Sequence, residues 1–217
     1  MGRVDLGFMN SNSPQIKTFV SGGLPSWNGK DPVVLFLHGY GADERDLPGL
    51  MNYLPDLPWV SPRAPEQSQY GGFAWFPITT PLNPPAELVE PVTQALWDWL
   101  DATIPDAPLI VIGFSQGGLM TTQLLRTRPE RLKATVILAG FNMDALQPAD
   151  AKLAATKPKV IYCRGAEDAV VTKDAVARLN TWLQGHTRAI TKSYSGLGHS
   201  IDERVMNDVA DYLESVL

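Results

Sequence analysis

Apolar residues in this chain fall into short continuous runs separated by longer stretches with helical spacing. Val33–Leu37 and Leu109–Ile112 are unbroken runs of the length typical of strands buried on both faces of a parallel sheet. On composition, alternation and flanking turn residues, we predict further strands at Lys17–Val20, Trp59–Val60, Thr135–Leu138, Lys159–Cys163 and Arg188–Tyr194.

Most of these strands are separated by segments with a helical pattern. Ala86–Thr103 places Leu88, Val92, Leu96 and Leu100 on one side, which predicts an amphipathic helix packed on the sheet. Strands that alternate with helices predict an α/β fold with a mainly parallel central sheet covered on both faces. The other predicted helices are Asp43–Leu54, Ser115–Arg128, Asp174–Leu183 and Ser200–Leu217, with a short one inside 141–157.

Length and composition narrow the class of protein. A chain of 217 residues predicts one domain spanning 1–217, with 1–16 forming a loop or tail. A net charge of −5 without a Lys/Arg cluster argues against a nucleic-acid partner. The only cysteine, Cys163, excludes a disulfide framework, and no Cys/His spacing suggests zinc, so we expect no metal and no cofactor. With no signal-peptide core and no membrane-spanning run, we expect a cytoplasmic protein without stable membrane insertion.

The strand at Leu109–Ile112 runs without a spacer into Gly-Phe-Ser-Gln-Gly at 113–117. A serine flanked by glycines two residues away on either side, between a strand and a helix, is typical of a nucleophile elbow. The glycines allow the neighbouring backbones to approach closely, and the turn exposes the serine hydroxyl. We therefore predict that Ser115 is a catalytic nucleophile, with an ordinary helix N-cap as the alternative.

A second motif, His38-Gly39-Tyr40-Gly41, ends the strand Val33–Leu37. In serine hydrolases with this elbow, one oxyanion donor is the N–H after the nucleophile and the other comes from a glycine-rich loop after an earlier strand. Gln116 and Tyr40 are the predicted donors. We assign His38 to holding its own loop, because the catalytic base comes last in the chain order of such enzymes.

The nucleophile is followed in the chain by an acid and a base. Asp168 comes just after the strand Lys159–Cys163, and His199 follows the last predicted strand, so Ser115, Asp168 and His199 are expected at the same sheet edge. Asp168 could instead cap the helix starting near Thr172, and His199 could be a surface histidine. The other candidates are His186 for the base and Asp144, Asp150 and Asp174 for the acid.

Aromatic residues and glycines are concentrated in residues 70–77. This composition suits the wall of an apolar substrate pocket, which would be formed by Phe73, Trp75 and Phe76. A small aromatic core under a long loop is the alternative interpretation.

Taken together, these motifs resemble the phospholipase/carboxylesterase family of α/β hydrolases, which includes the acyl-protein thioesterases. The resemblance implies a single-domain hydrolase without a large cap domain, acting on small carboxylic esters or thioesters in the cytoplasm, often as a homodimer. Two departures are Ala169, where a proline commonly follows the acid, and Ala42, which displaces an aspartate to Asp43, as in bacterial-type members. The matching segments are 37–43, 74–76, 113–118, 165–171 and 198–201.

Three functional hypotheses follow from the residues and the resemblance. The first is a carboxylesterase that cleaves short to medium acyl esters through an acyl-enzyme on Ser115. The second is a lysophospholipase or acyl-protein thioesterase that acts on long-chain esters or thioesters. The third is a non-catalytic binding protein on the same fold.

Overall fold

The central sheet has seven strands in the order β1-β3-β2-β6-β7-β8-β9. The structure is a computed structural model that describes residues 13–217. Strand β1 pairs antiparallel with β3, and the other neighbours are parallel, which confirms the predicted α/β class. The strands are β1 Phe19–Gly22, β2 Val33–Leu37, β3 Trp59–Pro62, β6 Leu109–Phe114, β7 Leu132–Leu138, β8 Lys159–Gly165 and β9 Arg188–Tyr194; β4 Glu66–Gln67 and β5 Phe73–Ala74 form a separate two-stranded ribbon.

Helices cover both faces of this sheet. Their bounds are α1 Ala86–Thr103, α2 Gln116–Thr127, α3 Asp150–Thr156, α4 Lys173–His186 and α5 Glu203–Glu214. Along β2, Val33, Leu35 and Leu37 pack with α1 and α2, whereas Val34 and Phe36 pack with α5. Because alternate side chains of a strand point to opposite faces, a strand covered on both sides must be apolar throughout, as β2 is. None of the helices in residues 13–217 is long and apolar enough to cross a bilayer.

Two predictions about local structure need correction. The α-helix expected over Asp43–Leu54 is a 3-10 helix restricted to Pro48–Tyr53. Pro48 has no N–H for an α-helical hydrogen bond, so it interrupts a helix that would begin at Asp43. The strand expected over Lys17–Val20 lies two residues later, and of the predicted loop or tail at 1–16, residues 1–12 lie outside the described part of the chain.

The carboxyl ends of the parallel strands meet at one edge of the sheet. His38 follows β2, Ser115 follows β6, and the loops after β8 and β9 carry Asp168 and His199. This is the edge at which open α/β sheets bind ligands, so the fold brings all four polar residues to the expected place.

Candidate active site

Ser115 occupies a strained turn between β6 and α2. Its φ of 55° and ψ of −115° lie outside the conformations that most L-residues adopt. A side chain on Gly117 would overlap the Leu37 carbonyl, and one on Gly113 would overlap the Gly117 carbonyl, so both positions require glycine. The Ser115 side chain makes no capping hydrogen bond to α2, which excludes the N-cap alternative in this structure.

Three side chains from separate loops form one hydrogen-bonded chain. The Ser115 hydroxyl lies 2.9 Å from Nε2 of His199, and Nδ1 of the same ring lies 2.8 Å from Oδ2 of Asp168. An ionised carboxylate only accepts hydrogen bonds, so Nδ1 carries the proton and Nε2 is free to accept the serine hydrogen. The Ser115 side chain is therefore aligned with a base that can remove its proton.

Asp168 is almost fully covered, with 1% of its side chain exposed. Burial alone would raise its pKa, but hydrogen bonds from His199 and from the N–H groups of Val170 and Val171 outweigh burial and lower the pKa. Thr172, not Asp168, caps α4 through its side chain. Asp168 thus stays ionised beside the imidazole.

The other candidate acids and histidines lie elsewhere. Asp150 forms a buried ion pair with Arg126, and Asp174 lies in the first turn of α4. His186 stacks on Trp182 at the end of α4, with its Nδ1 2.8 Å from the Trp182 carbonyl oxygen. None of these residues takes part in the chain formed by Ser115, His199 and Asp168.

His38 is fully buried behind the loop it begins. Its Nε2 accepts a hydrogen bond from the Ala64 N–H at 3.0 Å, so Nδ1 carries the proton and donates to the Gly39 carbonyl at 2.8 Å. Burial lowers the pKa of His38, which keeps the ring neutral and in this tautomer. The ring holds the glycine-rich loop in place, in the role that the sequence predicted.

The two predicted oxyanion donors face the same cavity as Ser115. In residues 13–217 the N–H groups of Tyr40 and Gln116 have no hydrogen-bond acceptor, and both residues line this cavity. Gln116 is also the first residue of α2, where the helix dipole favours negative charge. An unpaired donor at the start of α2 and a second one in the loop after β2 suit an oxyanion next to the serine.

The cavity beside Ser115 has a volume of about 200 Å³. Its walls differ from the prediction, because Phe73, Trp75 and Phe76 do not line it. Trp75 and Phe76 are buried in the core against α1, and Phe73 packs under the Arg63 guanidinium, 4.4 Å from the ring centre, at a separate surface depression. The apolar side chains that line the cavity are Ile78, Leu82, Phe114, Phe141, Val170 and Val171.

The aromatic segment instead supports the oxyanion loop and the elbow. The buried side-chain amide of Gln116 accepts a hydrogen bond from the Trp75 N–H at 2.9 Å and donates one to the Phe76 carbonyl at 2.7 Å. The Trp75 indole donates to the His38 carbonyl at 2.9 Å, and Phe73 exchanges two backbone hydrogen bonds with Gly41 and Ala42. The sequence pattern did not predict this role of the Gln116 side chain; its one signal was a polar residue at the start of a buried helix.

Comparisons with known proteins identify similar sequences and similar folds. A sequence model of the phospholipase/carboxylesterase family matches residues 25–217. Acyl-protein thioesterase 1 of Kluyveromyces lactis is 27% identical over 210 residues, covering 85% of this chain and 92% of the relative. Among solved structures, esterase PE8 is 29% identical with a TM-score of 0.68, covering 87% of this chain and 94% of that chain. A carboxylesterase of Mesorhizobium loti reaches a TM-score of 0.76 over 94% of this chain and 99% of its own, and at 19% identity it supports the fold alone.

A mainly parallel sheet with a serine elbow at the carboxyl ends of its strands is the architecture of an α/β hydrolase. The match to the family sequence model extends over most of the chain. The chain therefore belongs to the phospholipase/carboxylesterase family, and it is a carboxylic ester hydrolase.

Proposed function

We propose that this enzyme hydrolyses carboxylic esters with short to medium acyl chains through an acyl-enzyme on Ser115. The observation that carries the proposal is the continuous chain from Asp168 through His199 to the Ser115 hydroxyl, with spacings of 2.8 and 2.9 Å. Such a chain makes an alcohol nucleophilic near neutral pH, because the proton has an aligned acceptor and the resulting imidazolium is stabilised by a carboxylate.

In the proposed reaction, Ser115 Oγ attacks the ester carbonyl while Nε2 of His199 takes the hydroxyl proton. The N–H groups of Tyr40 and Gln116 donate to the oxyanion, and the protonated imidazole then gives its proton to the leaving alcohol. Water, deprotonated by His199, attacks the acyl-enzyme in the same manner and releases the carboxylic acid. Asp168 remains ionised throughout and holds the ring orientation.

The cavity favours a neutral acyl group of modest size. Among residues 13–217, no Asp, Glu, Lys or Arg side chain lines it, so a charged acyl chain would lose its hydration without gaining an ionic partner there. Its volume of about 200 Å³ lies below the roughly 300–1,000 Å³ of pockets for drug-sized ligands. Both features support short to medium acyl chains.

Replacing the nucleophile gives the decisive test. We expect Ser115→Ala to lower kcat/KM for p-nitrophenyl butyrate by about 10⁴-fold or more and to abolish labelling by a fluorophosphonate, since the nucleophile is lost. Ser193→Ala, on the exposed side of β9, is the matched control and should keep both properties. Full turnover by a folded Ser115→Ala enzyme would show that another group performs the reaction.

A long-chain thioesterase or lysophospholipase is the second candidate. It is favoured by the similarity to a thioesterase of Kluyveromyces lactis and by a partly open cavity mouth, where Ile78 and Val170 are 43% and 58% exposed. A steep rise in kcat/KM beyond about ten carbons would support it, because each buried methylene contributes about 0.8 kcal/mol. A non-catalytic binding role ranks third, and absence of fluorophosphonate labelling in the native protein would favour it. The cytoplasmic location and the homodimer implied by the family resemblance stay predictions.

A further inference from the structure

Arg178 lies on α4 and binds two loops that are far apart in the chain. Its Nε and Nη2 both donate to the Asn142 carbonyl, at 3.1 and 3.0 Å, and Nη2 also donates to the Leu82 carbonyl. A planar guanidinium offers several donors in a fixed geometry, so one side chain can satisfy two carbonyls at once. The loops are further joined by the Asp144 N–H, which donates to the Asn83 side chain at 3.1 Å.

Each of the two loops carries a residue of the cavity beside Ser115. Leu82 supplies both a carbonyl bound by Arg178 and a side chain in the cavity wall. Phe141, also in the wall, immediately precedes Asn142. The position of both side chains relative to Ser115 therefore depends on the guanidinium, although Arg178 itself does not line the cavity.

Arg178 makes no hydrogen bond to the catalytic residues. Its hydrogen-bond partners in residues 13–217 are the two carbonyls of these loops, whereas Asp168, His199 and Ser115 are held by one another and by the turn after β8. Loss of the guanidinium would leave the carbonyls of Leu82 and Asn142 to find other donors, which requires the loops to move or admit water. The triad has no such dependence on Arg178.

We propose that Arg178 is a positioning residue that sets acyl-chain selectivity by fixing the part of the cavity wall that Leu82 and Phe141 form. The inference rests on the proposed ester hydrolysis and extends it to a residue outside the cavity. A short acyl group reaches little beyond the oxyanion donors, so it is insensitive to this wall. A longer chain must pack against Leu82 and Phe141, so its binding depends on where Arg178 holds them.

The test compares p-nitrophenyl acetate with p-nitrophenyl octanoate in Arg178→Met and Arg178→Lys. Met keeps the apolar stem without donors, and Lys restores one donor group and the charge. We expect kcat/KM for acetate to stay within about 3-fold of native, while the octanoate-to-acetate ratio changes by about 10-fold or more in Arg178→Met, mainly through KM. The Lys variant should fall between Met and the native enzyme.

Two further variants keep the test informative. Arg188→Met is the matched control, because the Nε of Arg188 also donates to a backbone carbonyl. That carbonyl belongs to Lys157 and lies at the opposite end of the sheet, so this variant should keep the octanoate-to-acetate ratio of the native enzyme. If Arg178→Met does not fold, two other variants replace it. Asn83→Ala removes the direct contact between the loops, and Arg178→Lys weakens the contact made by the guanidinium. Both should shift the octanoate-to-acetate ratio in the same direction as each other.

Two results would overturn the role of Arg178 alone. One is a native ratio in folded Arg178 variants that remain active, and the other is an equal loss on both esters. A native enzyme that hydrolyses neither ester would instead refute the proposed function, and the selectivity role would fall with it.

Discussion

Two apolar regions lie beside Ser115, and they differ in what their backbones are bonded to. The aromatic segment at 73–76 is hydrogen-bonded to the oxyanion loop and to the Gln116 side chain. These bonds direct Trp75 and Phe76 into the core. The loops that carry Leu82 and Phe141 are bonded instead to Arg178 on α4, and their side chains reach the cavity.

This difference predicts two kinds of effect. One region should affect the rate of the chemical step, and the other should affect which acyl chain binds. The aromatic segment is bonded to the elements that carry the proposed oxyanion donors, so changes there should affect kcat for every ester. In the proposed reaction the wall residues would contact the acyl chain, so changes there should alter KM in a way that depends on chain length. We therefore expect the two properties to change independently.

Between these two regions, the largest effect is expected from the buried amide that joins the aromatic segment to the elbow. Gln116→Ala leaves the Trp75 N–H and the Phe76 carbonyl without their partner, so we expect the proposed oxyanion donors to shift relative to Ser115. We expect kcat for p-nitrophenyl acetate to fall by about 10- to 100-fold with little change in KM. This fall in kcat is no larger than the fall expected when one oxyanion donor is removed.

Gln116→Glu separates the two hydrogen bonds in this experiment. Its carboxylate still accepts from the Trp75 N–H, but it cannot donate to the Phe76 carbonyl and places a buried charge against that oxygen, so it should lose at least as much activity as Ala. A change confined to KM, with kcat unaltered, would assign the Gln116 side chain to substrate binding and contradict the comparison.

An intermediate effect is expected in the cavity wall. Leu82→Ala removes three carbon atoms from the wall and should allow longer acyl chains to bury more methylenes, each worth about 4-fold in kcat/KM. The optimum chain length should therefore increase in a series of p-nitrophenyl esters. Phe73→Leu is the contrasting variant, since Phe73 packs under Arg63 away from the cavity, and it should keep the native profile. Identical profiles for Leu82→Ala and the native enzyme would exclude Leu82 from the acyl site.

The smallest effect is expected on stability, at the ion pair behind the aromatic segment. Arg63, which covers the Phe73 ring, donates two hydrogen bonds to Glu44, and these lower the pKa of Glu44 from 4.5 to about 2. A depressed pKa stabilises the fold above the ordinary pKa, and the stabilisation is lost as the pH falls toward 2.

Glu44→Gln tests this ion pair. At pH 7 the substitution should lower the free energy of unfolding by about 1–2 kcal/mol, or Tm by roughly 2–8 °C. The difference in Tm between the variant and the native protein should disappear as the pH falls from about 4.5 to about 2. Glu130→Gln, which breaks the exposed pair with Lys152, is the control and should change Tm little at any pH. A gap that persists at pH 2 would mean that the charge of Glu44 is not the cause.

Features encoded locally could be predicted from the sequence. The unbroken runs of β2 and β6 require burial on both faces, and the helical spacing of α1 predicted its bounds correctly at Ala86–Thr103. The glycines around Ser115 indicated a tight turn. The ends of the predicted strands placed Asp168 and His199 at the same edge of the sheet as this turn. The helix expected over Asp43–Leu54 did not form as an α-helix, because Pro48 lacks the N–H that an α-helix through this position needs.

The sequence by itself determined the strands, the elbow and the order of the three proposed catalytic residues, because these follow from periodicity and from residue spacing along the chain. Only the tertiary structure decided which apolar side chains line the cavity beside Ser115. That choice depends on hydrogen bonds between distant segments, such as Gln116 to Trp75 across 41 positions and Arg178 to Leu82 across 96. Aromatic composition near a motif does not reveal such bonds, because a ring's direction is set by where its own backbone is held.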